Sequence, residues 1–363
     1  MATGGSLAAF VSPHGFGHAA RVCGVVEALV AVRPEVRVTI VTTAPEWFFR
    51  DSLPGQAFEY RSLNVDVGLV QHDSLRADLP ATLAAVDGVV PPANQLVERA
   101  TALLGDCNAD VVLADIAPVG LIAGQAAGVP TVLVENFTWD WIYEPFVAEH
   151  VEFVPLIEAA AHAYAGADVH IQTPPVCFPR ARAIQVGPIA RGTRLGAVAT
   201  RECLGAPADL PLALVSMGGV EWTFDVGRAL AATPAHFVLI GQQSDAVLPD
   251  NVTALPHRSR YHHPDLLAAA DVMVGKLGYS TVAEAMAQGC PFAYVERTGF
   301  AEYDVLTRYV EAHVPTRRLS EGAFRRGEFG AAVRDLATRP RTEPVRAHGG
   351  AQVADILAGI LPR

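Results

Sequence analysis

The sequence is short of charge, of aromatic rings and of cysteine, and each shortage excludes something. Charged residues make up 18% of the 363 and aromatics 7%, whereas 51% are apolar. That balance supplies ample material for buried cores and rules out a disordered or low-complexity scaffold. Lys and Arg number 27 against 38 Asp and Glu, a formal net charge of −11. A surface of that sign repels polyanions, so nucleic acid is not the expected partner. The five cysteines, Cys23, Cys107, Cys177, Cys203 and Cys290, form no CxxC pair and no zinc signature, as expected of free thiols in a reducing compartment. No stretch reaches the roughly 18 uninterrupted apolar residues of a spanning helix. The opening MATGGSLAAFVSPHG shows neither a basic leader nor a cleavage site, so the expected location is the cytoplasm.

What is present is an alternation of short apolar runs, glycine turns and longer segments with helical spacing, the mark of parallel sheets covered by helices. In the first half, Leu7–Ser12, Val36–Val41, Asp110–Ala114 and Thr131–Glu135 read as strands, and Gly17–Val32 and Pro118–Ala127 as helices. The theme repeats with strands at Leu212–Ser216, Phe237–Ile240, Val272–Gly275 and Phe292–Val295, and helices at Pro264–Ala270 and Thr281–Gln288. The proline-rich segment from Thr173 to Pro188 predicts a connection between domains. The expected division is an N-terminal Rossmann-like domain over 1–180, a second over 195–343, and a C-terminal helix over 344–363. Open parallel sheets bind ligands at the carboxyl ends of their strands, so the expected active site lies between the halves.

Three motifs carry chemistry. Ser12-Pro13-His14-Gly15-Phe16-Gly17-His18 follows the first strand and opens a helix. Its glycines admit a ligand close to the backbone, but with Ala20 in the third glycine's place it is not the GxGxxG fingerprint, which argues against a redox cofactor. Histidine titrates nearest neutrality, so His18 is the candidate general base, with His14, Gly15 and Gly17 on the acceptor side; the bland alternative is a histidine that caps the helix. Asp115 follows a buried strand and either orients that imidazole or caps the helix beginning near Pro118. In the third motif, Gly275-Lys276-Leu277-Gly278-Tyr279-Ser280-Thr281-Val282-Ala283-Glu284, a glycine turn with a lysine leads into a helix starting at Ser280 or Thr281. Backbone N–H groups, two hydroxyls and a cation suit a diphosphate, and Glu284 suits a ribose diol, unless Thr281 and Glu284 simply make a capping box. Gly218 and Gly219 repeat the strand-then-glycine pattern, and Glu302 and Asp304 bring two carboxylates to hold sugar hydroxyls. Trp139, in Phe137-Thr138-Trp139-Asp140-Trp141, either lines the acceptor side or is core.

Together these pieces resemble the GT-B fold of nucleotide-sugar glycosyltransferases, an α/β class with two Rossmann-like domains whose parallel sheets face an interdomain cleft. The second half is similar to the family of the peptidoglycan N-acetylglucosaminyltransferase. Gly15, Gly17 and His18 match that family's glycine-rich loop ending in histidine, and Gly278, Ser280, Thr281 and Glu284 match its nucleotide-binding helix. A closer resemblance is to the glycosyltransferase-like N-terminal part of arabinokinases, through HGFGHAAR (His14–Arg21), ENFTWDWIYE (Glu135–Glu144) and VGKLGYSTVAEA (Val274–Ala285). The kinase part of those proteins is not within these 363 residues, and no GxxxxGK loop appears. Departures from the peptidoglycan family are Val220 and Glu221 after Gly219, Gly275-Lys276-Leu277-Gly278 for its arginine-serine-glycine turn, and Glu302 with Asp304 for its acidic-glutamine signature.

The resemblance implies transfer of a sugar from a nucleoside-diphosphate sugar to a nucleophile of a small-molecule acceptor. The expected chemistry needs no metal and no cofactor beyond the nucleotide sugar as co-substrate. A nucleotide-sugar epimerase or hydrolase of this fold, or a non-catalytic nucleotide-sugar-binding module, are the alternatives.

Overall fold

A computed structural model describes residues 4–219, 222, 227–242 and 247–362. In chain order the strands are β1 (Ser6–Val11), β2 (Arg37–Val41), β3 (Glu59–Arg61), β4 (Gln71–Asp73), β5 (Arg76–Ala77), β6 (Val111–Asp115), β7 (Thr131–Glu135), β8 (Val169–Gln172), β9 (Ile184–Gln185), β10 (Leu212–Ser216), β11 (His236–Ile240), β12 (Val252–Leu255), β13 (Val272–Gly275), β14 (Phe292–Val295) and β15 (Thr316–Leu319). The chain forms two compact units. The first comprises Met1–Val70, Asp78–Ala190 and Ala347–Arg363, the second Gln71–Ala77 and Arg191–Arg346.

The first unit is built on a seven-stranded parallel sheet in the order β3-β2-β1-β6-β7-β8-β9. Its central strands are buried on both faces, which is why SLAAFV, VVLAD and TVLVE read as unbroken apolar runs. The helix Phe16–Val32 buries Ala19, Val22, Val26 and Leu29 in the same core as Val353, Ala354 and Leu357 of the helix Gly349–Ile360. Gly350 permits that approach, since a Cβ on it would lie 2.9 Å from the Gly24 carbonyl, and Gly349 admits the carbonyl of Gly187 beyond β9.

Two expectations are corrected here. The last helix is an integral part of the first unit, and it starts at Gly349 rather than Pro344; before it, the Val345 amide still donates to the Met286 carbonyl in the second unit. The segment Thr173–Pro188 is not the connection between units, because Ile184–Gln185 adds to β8 as an edge strand. Its prolines forbid long regular structure but not a two-residue edge.

The second unit has a six-stranded parallel sheet in the order β12-β11-β10-β13-β14-β15. Alternate residues of β10 serve opposite faces: Ala213 and Val215 enter one core, Leu212 and Leu214 the other. The antiparallel pair β4–β5 belongs to this unit, held by Leu75 in its core and by an Asp73–Arg325 ion pair of 2.8 Å.

Each sheet grows outward from a central pair, β1/β6 in one and β10/β13 in the other. Strand order reverses at these pairs, and such topological switch points open a crevice at the carboxyl ends of the strands. No helix among the described residues is long and apolar enough to cross a membrane.

Candidate active site

The first switch point carries a buried polar cluster. Asp115 is the last residue of β6, paired in register with Val11 of β1, and the chain turns away at once through Ile116, whose φ of 46° is strained for a β-branched residue. His18 and Arg21 stand three residues apart in the helix that follows β1, hence on one face. Both reach Asp115: His18 Nδ1 lies 2.7 Å from Oδ1, while Arg21 forks onto the carboxylate with Nε to Oδ2 and Nη2 to Oδ1, each at 2.6 Å. Arg21 Nη1 also donates to Asn136 Oδ1, just past β7. The helix that opens at Pro118 has no side-chain cap, so Asp115 is an orienting group there and not a capping one.

Charge is balanced within this cluster. Burial raises the Asp115 carboxyl, but Arg21 and His18 outweigh it and hold the group below the ordinary carboxylate range. With Asp115 ionised, His18 donates its Nδ1 proton and keeps a lone pair on Nε2, for which the described residues supply no partner. Burial lowers the His18 pKa, with Arg21 adding to the shift and Asp115 opposing it. Arg21 Nη2 lies 3.2 Å from Nδ1; both are donors, so this approach is repulsive.

The other first-unit candidates surround this pair. The His14 ring centre is 6.4 Å from that of His18 and packs on Gly68, where a Cβ would come within 2.6 Å of it. Gly15, at φ 74°, is the N-cap of the helix, and Gly17 lies in its first turn. Trp139 is core: it is 1% exposed, stacks on Tyr143 and donates from Nε1 to Asp66 Oδ2 at 2.8 Å. Asp66, which sequence reasoning missed, is pushed up to about 7, chiefly by burial, against the hydrogen bonds from Ser12 and Trp139.

At the second switch point, Met217-Gly218 follows β10 and Lys276 follows β13. The helix after it, Tyr279–Ala287, starts one residue ahead of the expected range, with Gly278 as N-cap and no side-chain cap. A capping box is therefore not formed. Ser280 and Thr281 sit in the first turn, where backbone N–H groups have no intrahelical acceptor. Glu284 is 2% exposed, and its oxygens are engaged by Arg191 Nε at 2.8 Å and His263 Nδ1 at 2.7 Å. Burial raises its pKa, but these partners prevail and hold it at about 2. A carboxylate offers about four lone-pair sites, so each oxygen retains one for a further donor.

Glu302 faces the buried Arg297, and Asp304 is exposed in the first turn of the helix Tyr303–His313. Gly219 ends the described part of its loop; Val220 and Glu221 lie outside the described residues. Among the described residues no three His, Cys, Asp or Glu side chains gather as a metal site. Arg21 was signalled by its spacing from His18, and Asn136 by its place just past β7. Arg191, His263 and Arg297 gave no local sign.

No family model matches the chain. The L-arabinokinase of Arabidopsis thaliana is 32% identical over 309 residues, 84% of this chain, and the chain spans 29% of that protein's length. Among solved structures, the calicheamicin glycosyltransferase CalG4 superposes with a TM-score of 0.65 at 19% identity, covering 99% of both chains. Arabidopsis thaliana UGT89C1, complexed with UDP-L-rhamnose, does so with a TM-score of 0.62 at 14% identity and 98% of both chains. The fold is therefore GT-B, the fold of nucleotide-sugar glycosyltransferases, as the sequence resemblance implied.

Proposed function

We propose that this chain is a glycosyltransferase that moves a sugar from a nucleoside-diphosphate sugar to a hydroxyl of a small-molecule acceptor. The observation that carries the reading is the buried His18–Asp115 pair at the β1/β6 switch point, which leaves Nε2 to accept a proton, while burial lowers the pKa of the ring. As the acceptor oxygen bonds to the anomeric carbon, its proton passes to Nε2 and the bond from that carbon to the diphosphate breaks. General-base help of this kind contributes about 10²–10⁴-fold in rate. Asp115 fixes the tautomer and favours the imidazolium that forms, while Arg21 opposes that charge.

On the donor side, the first-turn N–H groups of Tyr279–Ala287, with Lys276 beside them, support the charge of the departing diphosphate, a role that elsewhere falls to a metal. Glu284 holds the ribose through its remaining lone pairs, and Gly218, Gly219, Glu302 and Asp304 border the phosphates and sugar. UGT89C1 binds UDP-L-rhamnose and the glycosyltransferase VinC binds dTDP, which makes uracil and thymine nucleotides the first donors to try.

The test is incubation with UDP- and dTDP-sugars, each with and without a panel of hydroxylated acceptors, with products identified by mass spectrometry. A new glycoside that requires both substrates supports transfer. Conversion of donor without acceptor points to an epimerase or hydrolase, and saturable nucleotide binding with no conversion to a binding module.

A further inference from the structure

At the second switch point the strand ends gather more positive charge than they neutralise. Gly218 has a φ of 72°, and a Cβ on it would lie 3.0 Å from Lys276 Cε, so the lysine lies directly over the glycine turn. Arg297, two residues beyond β14, is 7% exposed, with its guanidinium carbon 3.3 Å from the centre of the Phe300 ring. Its Nε is buried without a hydrogen-bond partner, and its ion pair with Glu302 spans 3.7 Å, too long for a hydrogen bond. Glu302 Oε2 is likewise buried and unpartnered. Asp73, whose field also reaches Arg297, is committed to Arg325 at 2.8 Å. Glu302 is thus the one carboxylate whose field reaches both cations, and it holds Arg297 only loosely. Buried polar atoms without partners are rare in folded proteins, and a buried unmatched cation is costly.

We propose that Lys276 and Arg297 form a pocket for an anionic group of the donor, either diphosphate oxygens or a carboxylate on the transferred sugar. The inference rests on the nucleotide-sugar reading above. The planar guanidinium matches either group through two parallel hydrogen bonds, which the Lys276 ammonium does not. Glu302 then competes with the ligand for Arg297, a different role from holding sugar hydroxyls.

Calorimetric titration of the full chain with inorganic pyrophosphate, glucose 1-phosphate and glucuronate 1-phosphate tests this without any turnover. The wild type is expected to bind pyrophosphate, and Arg297→Gln and Arg297→Lys to weaken the preferred probe by about tenfold or more. Glu302→Gln is expected to tighten it, an effect that a purely structural ion pair would not give. Equal binding of the two sugar phosphates assigns the pocket to the diphosphate; preference for glucuronate 1-phosphate that vanishes in Arg297→Lys assigns it to a sugar carboxylate. Absence of anion binding by the wild type, or variants that bind as the wild type does, overturns the proposal. Pyrophosphate binding that depends on Arg297, in a protein that transfers no sugar, would leave this pocket standing and remove the transferase reading.

Discussion

The two switch points share a topology and differ in their electrostatics. At β1/β6 the carboxylate of Asp115 is matched by Arg21 and oriented against His18, so charge is balanced there and burial lowers the pKa of the imidazole. At β10/β13 and the neighbouring β14, Lys276 and Arg297 outnumber Glu302, and buried polar atoms stay unpaired. The first arrangement suits a group that must change its charge during a reaction; the second suits one that must meet a charge the substrate brings. Balance makes a base available at neutral pH, and excess makes an anion welcome.

The comparison breaks most visibly if the balanced site is disturbed. Replacing His18→Ala is expected to lower kcat by about 10²–10⁴-fold while donor affinity, read by calorimetry, stays within about twofold. Loss of donor affinity with turnover retained would place His18 on the binding side. Asp115→Asn leaves Arg21 buried against a neutral amide, and denaturant unfolding should show a loss of about 3–5 kcal/mol. A variant as stable as the parent would mean that the cluster is not charge-paired.

Smaller effects sharpen the contrast. Lys276 is lowered to about 7, first by burial and then by Arg297, with Glu302 opposing. A bound anion favours its charged form, so the part of the pyrophosphate affinity that Lys276 supplies, read as the difference from Lys276→Met, should be complete below pH 7 and be lost by up to about tenfold per pH unit above it. Burial lowers the His18 pKa, against Asp115, and Arg21 adds the smallest part of the downward push. The acid limb of kcat/KM therefore lies below the free imidazole value, and Arg21→Gln should move it upward; an unmoved limb would show that Arg21 acts through packing alone.

Much of the fold was legible because buried parallel strands leave unbroken apolar runs between glycines and prolines. Thr131–Glu135, Leu212–Ser216, Val272–Gly275, Phe292–Val295 and the helix Pro118–Ala127 fall where the sequence places them. Edge strands do not announce themselves: Glu59–Arg61 and Thr316–Leu319 are half-exposed and mostly polar, and they exist because a neighbour offers a ladder. The allegiance of Gln71–Ala77 to the second unit and of the last helix to the first depends on contacts remote in sequence, through Leu75 and Gly349. The His18–Asp115 pairing was readable because both residues lie at the carboxyl ends of central strands, Asp115 closing β6 and His18 opening the helix after β1. The partners of Glu284 and the approach of Arg297 to Glu302 arise from tertiary packing that no spacing rule anticipates.

The state of the His18 ring tests the account most directly, and no substrate is needed to measure it. In ¹⁵N-labelled protein at pH 7, with the signal assigned by comparison with His18→Gln, the account predicts a proton on Nδ1, a bare Nε2, and a titration to imidazolium that falls below the free imidazole value. A proton resident on Nε2, or a charged ring at pH 7, would contradict it.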